Sequence, residues 1–421
     1  MKVLHVTTNL TGGAGIAARR IHEALRQSHV DSRVLCQHLP LEAPAEIAVL
    51  PRAHRSLTFR AGHRLGLLRS PEERVEHRLA ALAASASAPP SYELFSPPYS
   101  SLAPEEHAWA GEADIINLHW TAGALDWPRF FRRSDKPVVL TLHDQHHYLG
   151  GFHYEDDVIT SPSLAALETE MRAVKRAALA GRRIALVANS AWNLSRARAS
   201  DVLGAEVPGE TILYPLDAAA YASDAAEARA GLELEPGRLT LGFASDNLAN
   251  RRKGFADLLA AIASLPSTIT DRLTLVSFGR APTDDVRRTI AIPWRHLGVI
   301  EGDLAKARAY AAMDVFVVPS HAEAFGQTAI EAMASGVPVI ASRVGGLTEA
   351  LDEGRAGVLV SPAQPAELRS AIEALLMDPG RRRELATRGR MRVAASHSPR
   401  VCANAHLAVY RALVDQPGSN R

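Results

Sequence analysis

The segment from Pro319 to Pro338 reads PSHAEAFGQTAIEAMASGVP and holds two carboxylates, Glu323 and Glu331, on either side of Gly326. A β-branched run before it, Val315 to Val318, predicts a strand ending at Pro319, and the residues after it predict a helix starting near Gly326 or Gln327. A carboxylate in such a loop accepts hydrogen bonds from hydroxyls, while the unpaired N–H groups of the loop and helix start, from Ala324 and Phe325 through Gly326, Gln327 and Thr328, attract an anion. Donors for an anion and acceptors for hydroxyls are therefore expected side by side, with Glu331 one turn further along the same wall.

A second glycine-rich stretch, Thr11-Gly12-Gly13-Ala14-Gly15, lies between the run Val3 to Val6 and a helical pattern from Ile16 to Gln27. Gly13-x-Gly15-x-x-Ala18 matches a dinucleotide fingerprint, but that site also needs an acidic residue at the end of the next strand, which here reads Cys36-Gln37-His38. A loop binding phosphate or substrate through Gly13 and Gly15 is the favoured reading. A nicotinamide cofactor site and a merely tight turn are the alternatives.

Two further strand patterns end in histidine: Ile115 to Leu118 before His119-Trp120, and Val138 to Leu142 before His143-Asp144. The second continues through His146, His147 and Gly150-Gly151-Phe152-His153-Tyr154. Imidazoles beside Asp144 suggest zinc or iron, yet the spacing matches no helical metal motif, and no Asp-x-Asp pair occurs for a metal-bound diphosphate. Chemistry without a metal or other cofactor is the expectation.

These residues need a scaffold of strand ends. The 421 residues suffice for two domains, and short β-branched runs alternate with helical patterns, the layout of parallel α/β units. One series of strands runs from Val3 to about Val187 and a second from about Leu239 to Val360, with the joint placed at Tyr214-Pro215. The expected architecture is α/β, two Rossmann-like doubly wound domains, residues 1–214 and 215–398, facing a central cleft, with a terminal helix in 399–421 returning to the first. Lys and Arg number 47 against 46 Asp and Glu, which excludes a nucleic-acid binder acting through bulk charge. Two cysteines, no signal-peptide core and no long apolar stretch point to a cytoplasmic protein. Residues 52–78 fit the rhythm poorly, with seven arginines against three glutamates among several leucines. They read as a helical insertion covering the first sheet, or as a peripheral contact with the inner face of a membrane.

The carboxylate segment, with its strand-Pro-Ser-x-x-Glu-x-Phe-Gly and Glu-Ala-Met-Ala-x-Gly-x-Pro-Val surroundings, resembles the E-x7-E motif of the retaining glycosyltransferases of family 4, which adopt the GT-B fold. The resemblance implies that Glu323 contacts hydroxyls of the donor sugar and Glu331 the ribose of a nucleotide-diphosphate sugar. It extends to Arg251-Arg252-Lys253-Gly254, where the family carries a lysine that balances the donor diphosphate as its charge grows. Lys253 is one of only five lysines beside 42 arginines. An arginine that the family often places just after the preceding strand is replaced here by Ser245-Asp246-Asn247, so Arg251 or Arg252 is expected to supply the second cation. His119 resembles a histidine beside the reaction centre, so His119, Glu323 and Lys253 form the expected catalytic set.

The Gly-Gly-x-His-Tyr stretch resembles members from exopolysaccharide and O-antigen pathways. It assigns a glycan, lipid-linked or small-molecule acceptor to Trp120, His143, Asp144, His153 and Tyr154. Burial of these aromatics as core is the other reading. Two rivals remain: a nucleotide-sugar epimerase of similar fold, and a non-catalytic binder of sugar nucleotides.

Overall fold

The computed structural model describes residues 1–39, 43–86 and 90–415. The chain divides into two compact units, Met1–Tyr214 with the residues from Cys402 on, and Pro215–Val401.

The first unit is built on β1 (Lys2–Val6), β2 (Asp31–Cys36), β3 (Ile47–Val49), β4 (Ile115–Leu118), β5 (Val138–Leu142), β6 (Ile184–Ala188) and β7 (Gly209–Thr211). All pair in parallel, in the order β3-β2-β1-β4-β5-β6-β7. β4, β5 and β6 are buried at every position, because helices cover both faces of a parallel sheet and leave no alternation to see. The second unit repeats the scheme with β8 (Leu239–Asn247), β9 (Leu273–Arg280), β10 (Trp294–His296), β11 (Val315–Val318), β12 (Val339–Ser342) and β13 (Val358–Val360), in the order β10-β9-β8-β11-β12-β13. In each sheet the order reverses once, at β1/β4 and at β8/β11, and ligands of doubly wound sheets bind outside the carboxyl ends of strands at that point.

β3, β7 and β10 have no counterpart among the strands expected from sequence. Each is three residues long and half or fully exposed, too short for a strand pattern to announce it. The final helix, Pro399–Val414, sends Tyr410 into the first unit, where Asn117 Nδ2 donates to its hydroxyl at 2.7 Å. Residues 416–421 of the expected terminal helix lie outside the described residues.

The first glycine stretch is not a loop ahead of a helix. The helix already begins at Gly12, and a Cβ on Gly15 would lie 2.5 Å from the Asn9 carbonyl oxygen, so Gly15 serves close packing of the helix on the Asn9-Leu10 backbone that follows β1. The insertion forms two helices, Leu57–Arg64 and Pro71–Ser85, the second opened by a capping box of Ser70 and Glu73. The second packs Val75 against Leu167 and Met171 of the helix Ala165–Leu179 and Leu82 against the core around the first sheet, and the first buries no residue.

Candidate functional site

In the second unit, β8 leads into a short turn, Arg251–Lys253, capped by Asn250, whose Oδ1 accepts from the Arg252 N–H at 3.0 Å. Gly254 follows at φ 71°, and a Cβ there would lie 1.9 Å from the Pro319 carbonyl oxygen. The turn after β8 and the loop after β11 therefore meet backbone to backbone, which only glycine permits. On that junction Lys253 Nζ lies 2.5 Å from Glu323 Oε2, and Arg252 Nη1 lies 3.8 Å from the same oxygen while donating to the Ala322 carbonyl at 2.9 Å. Arg252, and not the exposed Arg251, is thus the arginine that joins Lys253 beside Glu323.

The Glu323 carbonyl accepts from the Gly346 N–H at 3.0 Å, fixing the loop from below. The helix Gln327–Ala334 starts at once, with Gly326 at φ 101° where a Cβ would strike Leu347 at 2.4 Å. Gln327 and Thr328 are partly exposed at the helix start, whereas Ala324 and Phe325 are buried beneath it. Glu331 differs from the expectation that it lines the same open wall. It is 2% exposed, and its carboxylate takes the Tyr310 hydroxyl at 3.1 Å and Lys306 Nζ at 3.5 Å, because one helix turn past Gln327 it faces the helix Asp303–Ala311. Lys306 and Tyr310 were missed in the sequence. The only signal was that Lys306 is one of five lysines.

In the first unit, the histidines at the strand ends form a continuous chain. His5 Nδ1 lies 2.7 Å from His119 Nε2, His119 Nδ1 2.9 Å from His143 Nε2, and His143 Nδ1 2.6 Å from the Tyr214 hydroxyl. Asn189 Nδ2 also donates to that hydroxyl at 2.8 Å. His119 has no accessible surface, so the contact with a reacting sugar expected of it is not available in this conformation. Of the two strand-end histidines, His143 is the less deeply buried, at 7% exposure. His5 and Tyr214 carried no sequence signal, since the topology alone joins β1 to β4 and β5.

Burial holds His5 and His119 well below the ordinary imidazole range and His143 at about 4. The chain is therefore neutral at physiological pH. Beside it, Asp144 accepts from Trp120 Nε1 at 2.9 Å and lies 2.7 Å from His153 Nδ1, with the His146 N–H at 2.9 Å on its other oxygen. Burial pushes the Asp144 carboxyl up, but His153 and the His146 N–H outweigh it and leave it at about 2. Asp144 and Trp120 are partly exposed, while His153 and Tyr154 are built into the interior.

Gly150 and Gly151 are also packing glycines. A Cβ on Gly150 would lie 2.2 Å from the Glu168 carbonyl oxygen, and the Glu168 carboxylate accepts the N–H groups of Gly150 and Gly151 at 2.6 and 2.8 Å. Lys175, a turn pair further along the same helix, donates to the carbonyls of His146 and Leu149. Among the described residues, no group of three histidine, cysteine or acidic side chains is arranged to hold a metal ion.

Two Rossmann-like α/β units of this kind define the GT-B class, and solved structures share it. Sucrose-phosphate synthase from Thermosynechococcus elongatus aligns with a TM-score of 0.70 at 23% identity, covering 98% of this chain and 99% of that one. Anabaena HepE in complex with UDP-glucose aligns with a TM-score of 0.68 at 17% identity, covering 98% and 100%. The family model described as "Glycosyl transferases group 1" matches residues 238–378. The D-inositol 3-phosphate glycosyltransferase of Xylanimonas cellulosilytica is 30% identical over 299 residues, 68% of this chain and 69% of that protein. The chain belongs to the group 1 glycosyltransferase family. Matches to the enzymes of the same name from Geodermatophilus obscurus and Acidothermus cellulolyticus are 44% and 48% identical but span only 24% and 19% of those proteins.

Proposed function

We propose that this protein transfers a glycosyl group, with retention of configuration, from a nucleotide-diphosphate sugar to a hydroxyl of a glycan, lipid-linked or small-molecule acceptor. The observation that carries the reading is the convergence of Lys253, Arg252 and Glu323 beside the start of the helix Gln327–Ala334, at the β8/β11 switch point. Two cations and a helix start meet the charge that grows on a departing diphosphate, and Glu323 accepts from sugar hydroxyls. The neutral histidine chain adds no charge to this balance.

The anomeric carbon–oxygen bond to phosphate breaks as the acceptor oxygen attacks from the same face. The acceptor proton passes to the leaving phosphate oxygen, so neither a protein nucleophile nor a bound metal enters the balance. Trp120, Asp144 and the edge of His143 present the acceptor surface in the first unit.

Relatives named for D-inositol 3-phosphate make a phosphorylated polyol one acceptor class to test. A lipid-linked acceptor is the other, supported by the exposed Leu57, Leu65 and Leu67 interleaved with Arg55, Arg60 and Arg64, which suit a peripheral contact at the cytoplasmic membrane face. No described helix is long and apolar enough to cross a membrane.

Thermal-shift screening of nucleotide diphosphates, followed by product analysis with and without acceptor, tests the proposal. A new glycoside formed only with acceptor supports it. Free nucleotide with an epimerised sugar, or binding without turnover, overturns it.

A further inference from the structure

We propose that His321 and Asp257 are positioning residues that hold the diphosphate cations in register with Glu323; this rests on the donor-site reading above. His321 Nε2 lies 2.5 Å from Asp257 Oδ2, linking the loop after β11 to the first turn of the helix Phe255–Ala263. The backbone N–H of His321 also donates to the Arg252 carbonyl at 2.7 Å, and Arg252 Nη1 returns to the Ala322 carbonyl at 2.9 Å. The two loops that carry Lys253 and Glu323 are thus stapled on both sides of the Gly254–Pro319 contact.

The Lys253–Glu323 ion pair itself spans the loops, but it cannot be the link that lasts. A donor diphosphate attracts Lys253, and a sugar hydroxyl takes up Glu323, so ligand binding loosens that pair just when its geometry matters. The His321–Asp257 pair is spent on neither group and keeps the loops together. An ionised carboxylate only accepts, so Nε2 carries the proton and Asp257 fixes the ring. Both side chains are partly exposed, 33% and 23%, so the pair is a poor contributor to folding and its place at the junction calls for another role.

The test is a double-mutant cycle of His321→Ala and Asp257→Ala in the full chain, with affinities for UDP-glucose and GDP-mannose measured by calorimetry alongside melting temperatures. Each single change is expected to weaken the nucleotide sugar that the wild type binds by about tenfold, with the double variant no weaker than either single. Melting temperatures should stay within about 2 °C. His321→Gln, which keeps an N–H toward Asp257, should regain most of the loss. Affinity within twofold of wild type, effects that multiply in the double variant, or losses that follow a fall in melting temperature would overturn the staple alone. A wild type that binds no nucleotide diphosphate in the screen above, nor either sugar nucleotide, overturns the donor-site reading, and the staple's role with it.

Discussion

Acidification from pH 7 to 5.5 should unfold the first unit well before the second. Eight of its histidines are buried, and seven of them, His5, His22, His119, His143, His146, His147 and His406, are depressed by that burial. Burial sets His22, His143 and His406 at about 4 and His147 at about 3, and holds His5, His119 and His146 lower than usual as well. Their stabilising contribution is complete above the unfolded value of about 6.5 and is lost as pH falls toward the folded values. At pH 5.5 an unfolded histidine is about nine-tenths protonated while the folded one is not, a difference of about 1 kcal/mol per residue relative to pH 7. Seven such groups amount to several kcal/mol, on the order of the whole stability of a domain.

Urea unfolding followed by tryptophan fluorescence reads this directly. Trp109, Trp120, Trp127 and Trp192 lie in the first unit and only Trp294 in the second. His406→Leu, which removes one buried imidazole, should shrink the pH-dependent loss by about 1 kcal/mol. A loss of less than about 2 kcal/mol across this interval would refute the buried, neutral histidine chain.

Lys253→Ala should leave the melting temperature unchanged and lower turnover about 100- to 1000-fold, and a rate within threefold of wild type would remove Lys253 from the diphosphate site. Glu331→Ala should cost the second unit about 3 kcal/mol, seen as an earlier urea transition, because it takes the carboxylate from beside the buried Lys306; weakened nucleotide binding with intact stability would show instead that Glu331 faces ligand. Transfer should persist in EDTA, and activity lost on chelation and restored by one divalent ion would contradict the cation assignment to Lys253 and Arg252. Neutralising Arg55, Arg60 and Arg64 should release the protein from anionic vesicles in co-sedimentation, with each arginine near the surface contributing about 1 kcal/mol. No binding to anionic vesicles at low salt would dispose of the membrane contact.

What the sequence by itself determined are features written locally. The β-branched runs located β4, β5 and β11 to the residue, since a strand buried on both faces is a continuous apolar run. The spacing around Glu323 placed a strand end, a loop and a helix start in order, because Pro319 and Gly326 punctuate the chain there. Only tertiary structure decided which of those residues meet. Lys253 and Glu323 are 70 positions apart and touch because β8 and β11 are neighbours across the switch point. Parallel pairing of β1, β4 and β5 likewise turned three separate histidines into one buried chain, which is why His119 is internal although its sequence setting at a strand end resembles that of an exposed group. Glu331 shows the same limit from the other side. Its distance along the helix was legible, but the direction it faces depends on the helix carrying Lys306 and Tyr310, whose packing no local pattern encodes.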